Sequence, residues 1–254
     1  MNTKSKNNFY VSFSLMAIFV LSFFIFSSCQ TVKSLSFNDL SPFAIISVTG
    51  TNLVSWQNTE QNDNDEQIDT DGAFNSLVNR VIDSKNPEIL TAVDRLDYAE
   101  ESFRLIANEL TNAKVIAKEA VVNSDIYKYS YRSIFNSLSD STNATGYKDM
   151  TVIGAKKARL LIQGLEAKSL VAMDFNFKKI LASGNKRNGQ VAAAITMKMK
   201  ILDEKGRVAV NKDYYRQSSQ TVLIQGGYYD KDALIEIINT TIDELITAFV
   251  VEYM

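Results

Sequence analysis

Two stretches of strict alternation constrain this chain more than any other feature. From Leu170 to Ile180, the apolar Val171, Met173, Phe175 and Phe177 alternate with Asp174, Asn176 and Lys178. From Val191 to Ile201, Val191, Ala193, Ile195, Met197, Met199 and Ile201 alternate with Ala192, Ala194, Thr196, Lys198 and Lys200. A period of two puts the large apolar groups on one side of an extended strand and leaves the other side wet. The polar run Gly184-Asn185-Lys186-Arg187-Asn188-Gly189 reads as the turn between them. Asp203-Glu204-Lys205-Gly206 reads as a tight turn into a third strand from Arg207 to about Arg216. The apolar side of such a meander needs a cover. Leu234, Ile237, Ile238, Ile242, Leu245 and Phe249 supply one, at the spacing of a long amphipathic C-terminal helix.

Upstream, Phe43-Ala44-Ile45-Ile46-Ser47-Val48, closed by Gly50, reads as a buried strand. Phe74, Leu77, Val78, Val81 and Ile82 predict a helix ended by Pro87. A second helix opens at the capping-box-like Thr91 to Asp94, with Leu96, Ala99, Phe103, Ile106 and Leu110 on one face. Ala113 to Ala117 reads as a short strand, and Glu119 to Leu138 as helical pieces. Ala155, Ala158, Leu161, Ile162 and Leu165 mark a helix feeding straight into the first alternating strand. The expected fold is α/β, of the α+β kind: one mixed sheet that includes the C-terminal meander, with helices packed mainly on one face and a long last helix. The expected boundaries are 1-28 as a leader, 29-42 as a tether and 43-254 as one domain. With 46% hydrophobic residues among 254 and only two prolines, the body has the material for a core.

The leader carries Lys4 and Lys6 and no acid, then an apolar run from Phe9 to Phe26 broken only by serines. That is the n-region and h-region of an export signal. The run ends Phe26-Ser27-Ser28-Cys29, small residues ahead of the chain's one cysteine. This arrangement resembles a bacterial lipobox, with Phe26 where Leu is usual. The resemblance implies that Phe26, Ser27 and Ser28 are read by the signal peptidase, and that Cys29 is acylated and becomes the first residue of a lipoprotein. An uncleaved signal anchor and an ordinary secreted protein are the competing readings, because about 18 apolar residues nearly span a bilayer. Residues 30 to 42, polar and Ser-rich, then form the tether.

The succession Ala155-Lys-Lys-Ala-Arg-Leu-Leu-Ile-Gln-Gly164, Leu165-Glu-Ala-Lys-Ser-Leu-Val-Ala-Met-Asp174, and later Ala194-Ile-Thr-Met-Lys-Met-Lys-Ile-Leu-Asp203-Glu-Lys-Gly206, resembles the envelope domains of the CsgG and TolB N-terminal type. Those domains share the helix, the break, the strand and the strand ending in an Asp-x-x-Gly turn; Glu166-Ala167-Lys168 departs from their usual Gly-Ala-Asp. The same segments resemble a group of spirochaetal lipoproteins. Both resemblances imply an envelope domain that binds or assembles, without chemistry of its own.

The remaining constellations carry no chemistry. The chain has no His, which removes the commonest general base and metal ligand, and one Cys excludes an internal disulfide. Without His there is no Ser-His pair. Asp69-Thr-Asp71-Gly72 copies part of a calcium loop. Aligning Gly72 puts Gln67 at the first ligand position and Val78 where a bidentate Glu belongs, so Asp69 and Asp71 are weak calcium candidates and a solvated acidic loop is expected. Lys128-Tyr129-Ser130-Tyr131-Arg132 mixes bases and aromatics as single-strand nucleic-acid platforms do, but the net charge of −2, more acidic once the leader's lysines go, argues against that ligand; the rings are expected to pack on the body. Gly226-Gly227 reads as a plain turn. The expectation is a non-enzymatic accessory or assembly factor, without cofactor. It is held to the bacterial envelope, most simply the periplasmic face of the outer membrane, and it contacts other envelope proteins. The alternative is a lipid-binding or membrane-perturbing lipoprotein whose amphipathic helices near 94–110 and 232–250 open to apolar ligand.

Overall fold

The alternating stretches become the two longest strands of an open mixed sheet in the computed structural model, which describes residues 36–57, 92–130 and 141–254. Numbered along the chain, the strands are β1 (Phe43–Thr51), β2 (Ser55–Trp56), β3 (Ser141–Asn143), β4 (Ser169–Gly184), β5 (Gly189–Leu202), β6 (Val208–Gln217) and β7 (Val222–Ile224). The helices are α1 (Ala92–Leu110), α2 (Lys118–Val122), α3 (Asp125–Lys128), α4 (Ala155–Gly164) and α5 (Lys231–Glu252). The sheet order is β3-β1-β4-β5-β6. Short β2 also pairs with β4, and short β7 with β5. β1 and β2 run parallel to β4, while the β4-β5-β6 meander is antiparallel, as its turns require. The second turn depends on Gly206, whose φ of +69° suits a residue without Cβ. A Cβ there would also come within 2.4 Å of the Ala155 carbonyl oxygen.

Register sorts the side chains into two faces. Phe175 lies opposite Met197, which lies opposite Tyr214; one position back, Asp174 faces Lys198, which faces Asp213. The first set is covered by α1 and α5. These helices run parallel: Tyr98 and Ser102 of α1 meet Asp243 of α5, and further along both, Phe103 meets Phe249 at 6.3 Å between ring centroids. Asp230 starts α5 by accepting the backbone N–H groups of Asp232 and Ala233 at 3.0 and 3.1 Å. Phe249 sits at the centre of an aromatic cluster with Phe37, Phe103, Tyr214 and Tyr253. Gly50 lets α1 approach β1, since a Cβ there would come within 2.9 Å of both Leu96 and the Phe175 carbonyl oxygen.

Several expectations are corrected. Residues 36–42, expected to be tether, pack as part of the folded body. Phe37 is fully buried in a 3-10 turn, Phe37–Leu40, 4.5 Å from the Phe43 ring, and its N–H donates to the Tyr253 carbonyl at 2.6 Å. Ala113–Ala117 forms one bridge, Val115 with Phe43, in place of a strand; the ladder stops there because the Lys114 N–H donates to the Ser41 hydroxyl, at 2.7 Å, in place of a backbone carbonyl. The buried stripe of α1 is Leu96, Ala99, Phe103 and Ala107, whereas Ile106 is half-buried and Leu110 exposed. A second buried set turns the helix: Glu100 accepts from Tyr147 at 2.7 Å and from Arg104 at 2.5 Å, and Arg104 also donates to the Ile116 carbonyl. The wet side of β5 begins only at Thr196, because Ala192 and Ala194 are buried. The helix predicted from Phe74 to Ile82, the acidic loop and the end of the 119–138 stretch lie outside the described residues.

Candidate binding surface

The second sheet face is covered at one side and open at the other. Near β1, the Met150 N–H donates to Ser47 Oγ at 3.0 Å and Tyr127 donates to the Ile46 carbonyl at 2.8 Å, so the 147–152 loop and α3 are held against β1. Burial pushes the Tyr127 hydroxyl up to about 12, against the Lys148 backbone N–H that it accepts. Lys200 Nζ donates to the Thr151 carbonyl at 2.9 Å and fixes the end of that loop above β5. The cover stops there.

Between loop and strands lies an open groove of about 350 Å3, with Ala172, Asp174, Lys198, Lys200 and Asn211 on the sheet and Thr151 and Val152 on its wall. Alternation brings the sheet residues together: Asp174 and Lys198 are cross-strand partners, as are Lys200 and Asn211. The Thr49 hydroxyl donates to Asp174 Oδ1 at 2.6 Å and holds that carboxylate in place. Val152 is 93% exposed, an apolar lip on a charged groove. The Thr151 hydroxyl donates to Asp149 Oδ1 at 2.6 Å. Two ammonium groups, a carboxylate and a carboxamide suit it to recognising a polar surface carrying both charges.

Beneath α1 and α5 the face is closed but not wholly apolar. Arg95, only 2% exposed, lies 5.1 Å above the Phe177 ring centroid. Burial draws its guanidinium down to about 10, opposed by Asp94, so it stays charged at neutral pH. Lys179 is equally buried, 5.0 Å from Trp56 and 5.6 Å from Tyr229, to whose hydroxyl it donates at 3.2 Å. Both positions break an apolar pattern in the sequence: Lys179 continues the 171-173-175-177 series, and Arg95 precedes Ala99 and Ser102 on the buried side of α1. Asp243 accepts from Tyr98 at 2.7 Å and Ser102 at 2.5 Å, and burial together with that bond pushes the Tyr98 hydroxyl up to about 12.

Of the residues singled out in the sequence, Phe26, Ser27, Ser28, Cys29, Asp69 and Asp71 lie outside the described residues. Asp174 is on the wet side as expected, though half-buried, and becomes part of the groove. Gly226 and Gly227 form a turn closed by the Gln225–Tyr228 bridge. The expectation that the Tyr129 ring packs on the body is corrected: Tyr129 is 87% exposed, and the buried ring is its neighbour Tyr127. The groove wall was invisible in the sequence, because Thr151 and Val152 belong to a loop with no periodicity. Among the described residues, no group of three or more His, Cys, Asp or Glu side chains could hold a metal ion, and no helix is long and apolar enough to cross a membrane. The chain matches no protein-family model and no curated protein sequence.

Proposed function

We propose that this chain is a lipid-anchored protein of the bacterial cell envelope that works by contact, as a non-enzymatic binding or assembly factor for other envelope proteins. The observation that carries the reading is the groove: a charged recess with an exposed Val152 lip on a sheet face whose other side is fully engaged in the core. The Phe26-Ser27-Ser28-Cys29 sequence supports the anchor and the envelope location, with the periplasmic face of the outer membrane as the simplest site. The order α4, break, β4, then β5 ending in the Asp203–Gly206 turn supports the resemblance to CsgG and TolB N-terminal-type domains. A membrane-perturbing role would draw on the apolar sides of α1 and α5, and those are occupied by each other and by the sheet.

Mass spectrometry of the mature protein tests the anchor. The expected mass is that of a chain starting at an acylated Cys29, and Cys29→Ser should abolish both the acyl label and the normal cleavage. An intact leader, or a cut elsewhere without fatty acid, contradicts it. Liposome flotation of the non-lipidated chain separates the two roles: a contact factor stays in solution, whereas flotation with dye release favours membrane perturbation.

A further inference from the structure

The sheet closes one of its long edges and leaves the other open. On the outer side of β1, the Phe43 N–H donates to the Lys114 carbonyl, the Ile116 N–H to the Phe43 carbonyl and the Tyr127 hydroxyl to the Ile46 carbonyl, each at 2.8 Å. The opposite edge is β6, ten residues long and paired with β5 alone among the described residues. The Ser218 N–H donates to the Ala193 carbonyl at 2.8 Å, which makes those two a hydrogen-bonded pair. Alternation along the register then makes Arg216, Tyr214 and Lys212 the bonded partners of Ile195, Met197 and Met199. The backbone N–H and C=O groups of Asn211, Asp213, Tyr215 and Gln217 therefore point away from β5, and all four residues are exposed. Sheets ordinarily blunt such an edge with a bulge, a proline, a projecting lysine or a cover. β6 has no proline, and its register shift lies at its start, near Val208 and Val210. Its cations are drawn back onto α5, Lys212 to Glu252 and Arg216 to Glu244. Between those two acids on the same row of the helix lies Ala248, exposed and too small to bar a neighbouring helix.

What fits the edge is set by its own side chains. We propose that β6 pairs antiparallel with β6 of a second copy of this chain, about a two-fold axis that passes beside Tyr215. A two-fold axis perpendicular to the sheet keeps each face on its own side, so residues of like parity meet across it. Centring the axis on Asp213 opposes two carboxylates, centring it on Lys212 or Arg216 opposes two cations, and centring it on Tyr214 sets Lys212 against Arg216. Centred on Tyr215, the strand is self-complementary. Asp213 meets Gln217 of the other copy, Tyr214 meets Arg216, and the two Tyr215 rings, each 60% exposed in the single chain, cover one another. The outward-facing positions 213, 215 and 217 supply the bonded pairs, with two backbone hydrogen bonds to each. The sheet then runs unbroken through both copies, with both grooves on one face, and a partner with a repeated surface would be held at two points. The pairing does not depend on what the groove binds.

The test is sedimentation equilibrium of the full chain in a density-matched detergent, with disulfide trapping to read the register. The parent should sediment as a dimer at about 0.1 mM chain. Tyr215→Pro removes only an N–H that faces outward, so it should leave the β5 ladder and the circular dichroism intact and yield a monomer. Tyr215→Lys, which opposes two ammonium groups at the axis, serves if the proline variant fails to fold and should weaken the dimer about fivefold or more. Cα atoms of a bonded antiparallel pair lie about 5.5 Å apart, within disulfide range. Tyr215→Cys should therefore form a covalent dimer on mild oxidation, well above the background set by the parent with Cys29 alone. Asp213→Cys should stay at that background, because its two copies would lie about 14 Å apart. The proposal is overturned if the parent sediments as anything but a dimer at about 0.1 mM. It is equally overturned if folded Tyr215→Pro or Tyr215→Lys dimerises as the parent does, or if Asp213→Cys is trapped as readily as Tyr215→Cys.

Discussion

The two faces of the sheet are made from the same three strands and have opposite roles. On the helix-covered face the alternate residues Met173, Phe175 and Phe177 lie among the side chains packed under α1 and α5, and even its cations are buried. On the other face, Asp174, Lys198 and Lys200 border an open groove. One residue of offset decides which role a side chain takes, because strand neighbours point to opposite sides. The difference teaches where change is tolerated: stability resides on the first face, and the second is free to carry recognition.

The strongest way to break the comparison is Phe249→Ala. Phe249 touches four other rings, and its loss should cost about 3–5 kcal/mol by denaturant titration. Phe37→Ala should cost nearly as much, about 3 kcal/mol, because Phe37 is fully buried although it lies before the first strand. A tether residue would give no loss, so this variant also checks that the segment before the first strand belongs to the body.

Alkaline titration gives the next effect. Burial pushes the hydroxyls of Tyr127 and Tyr147 above their usual range, with Glu100 adding to the rise at Tyr147 against the nearby Arg104, while the Lys148 backbone N–H moderates it at Tyr127. The unfolded chain therefore ionises first, from about pH 10, and binds fewer protons than the folded one. Stability is fully present below pH 10 and falls as pH rises through the folded values, by up to about 1.4 kcal/mol per pH unit for each tyrosine. Tyr147→Phe should flatten that slope in pH-jump denaturation. On the open face effects should be smaller still. Thr49→Val, which removes the bond to Asp174, should cost about 1 kcal/mol. Lys198→Ala should stay within about 0.5 kcal/mol of the parent.

What could be read in the sequence follows from the length of each pattern. β4, β5 and α5 repeat their periods over 14 to 22 residues, so the apolar side of each is overdetermined. β2, β3 and β7 hold two or three residues and exist through pairing with long neighbours, which no local period records. Phe37 sits among polar residues, and its burial depends on Phe249 and Tyr253 at the end of α5, more than 200 positions away. The groove was half legible: alternation set Asp174 and Lys198 on the wet side, while the Thr151–Val152 wall came only with the fold.

The division of labour between the faces is tested most directly by photo-cross-linking in intact cells, with one photoreactive residue placed at Lys198 in the groove and another at Glu236 on the exposed side of α5. The account predicts a discrete adduct with an envelope protein from position 198 and none from position 236. Adducts from 236 alone, or from neither position in cells that process the chain normally, would contradict it.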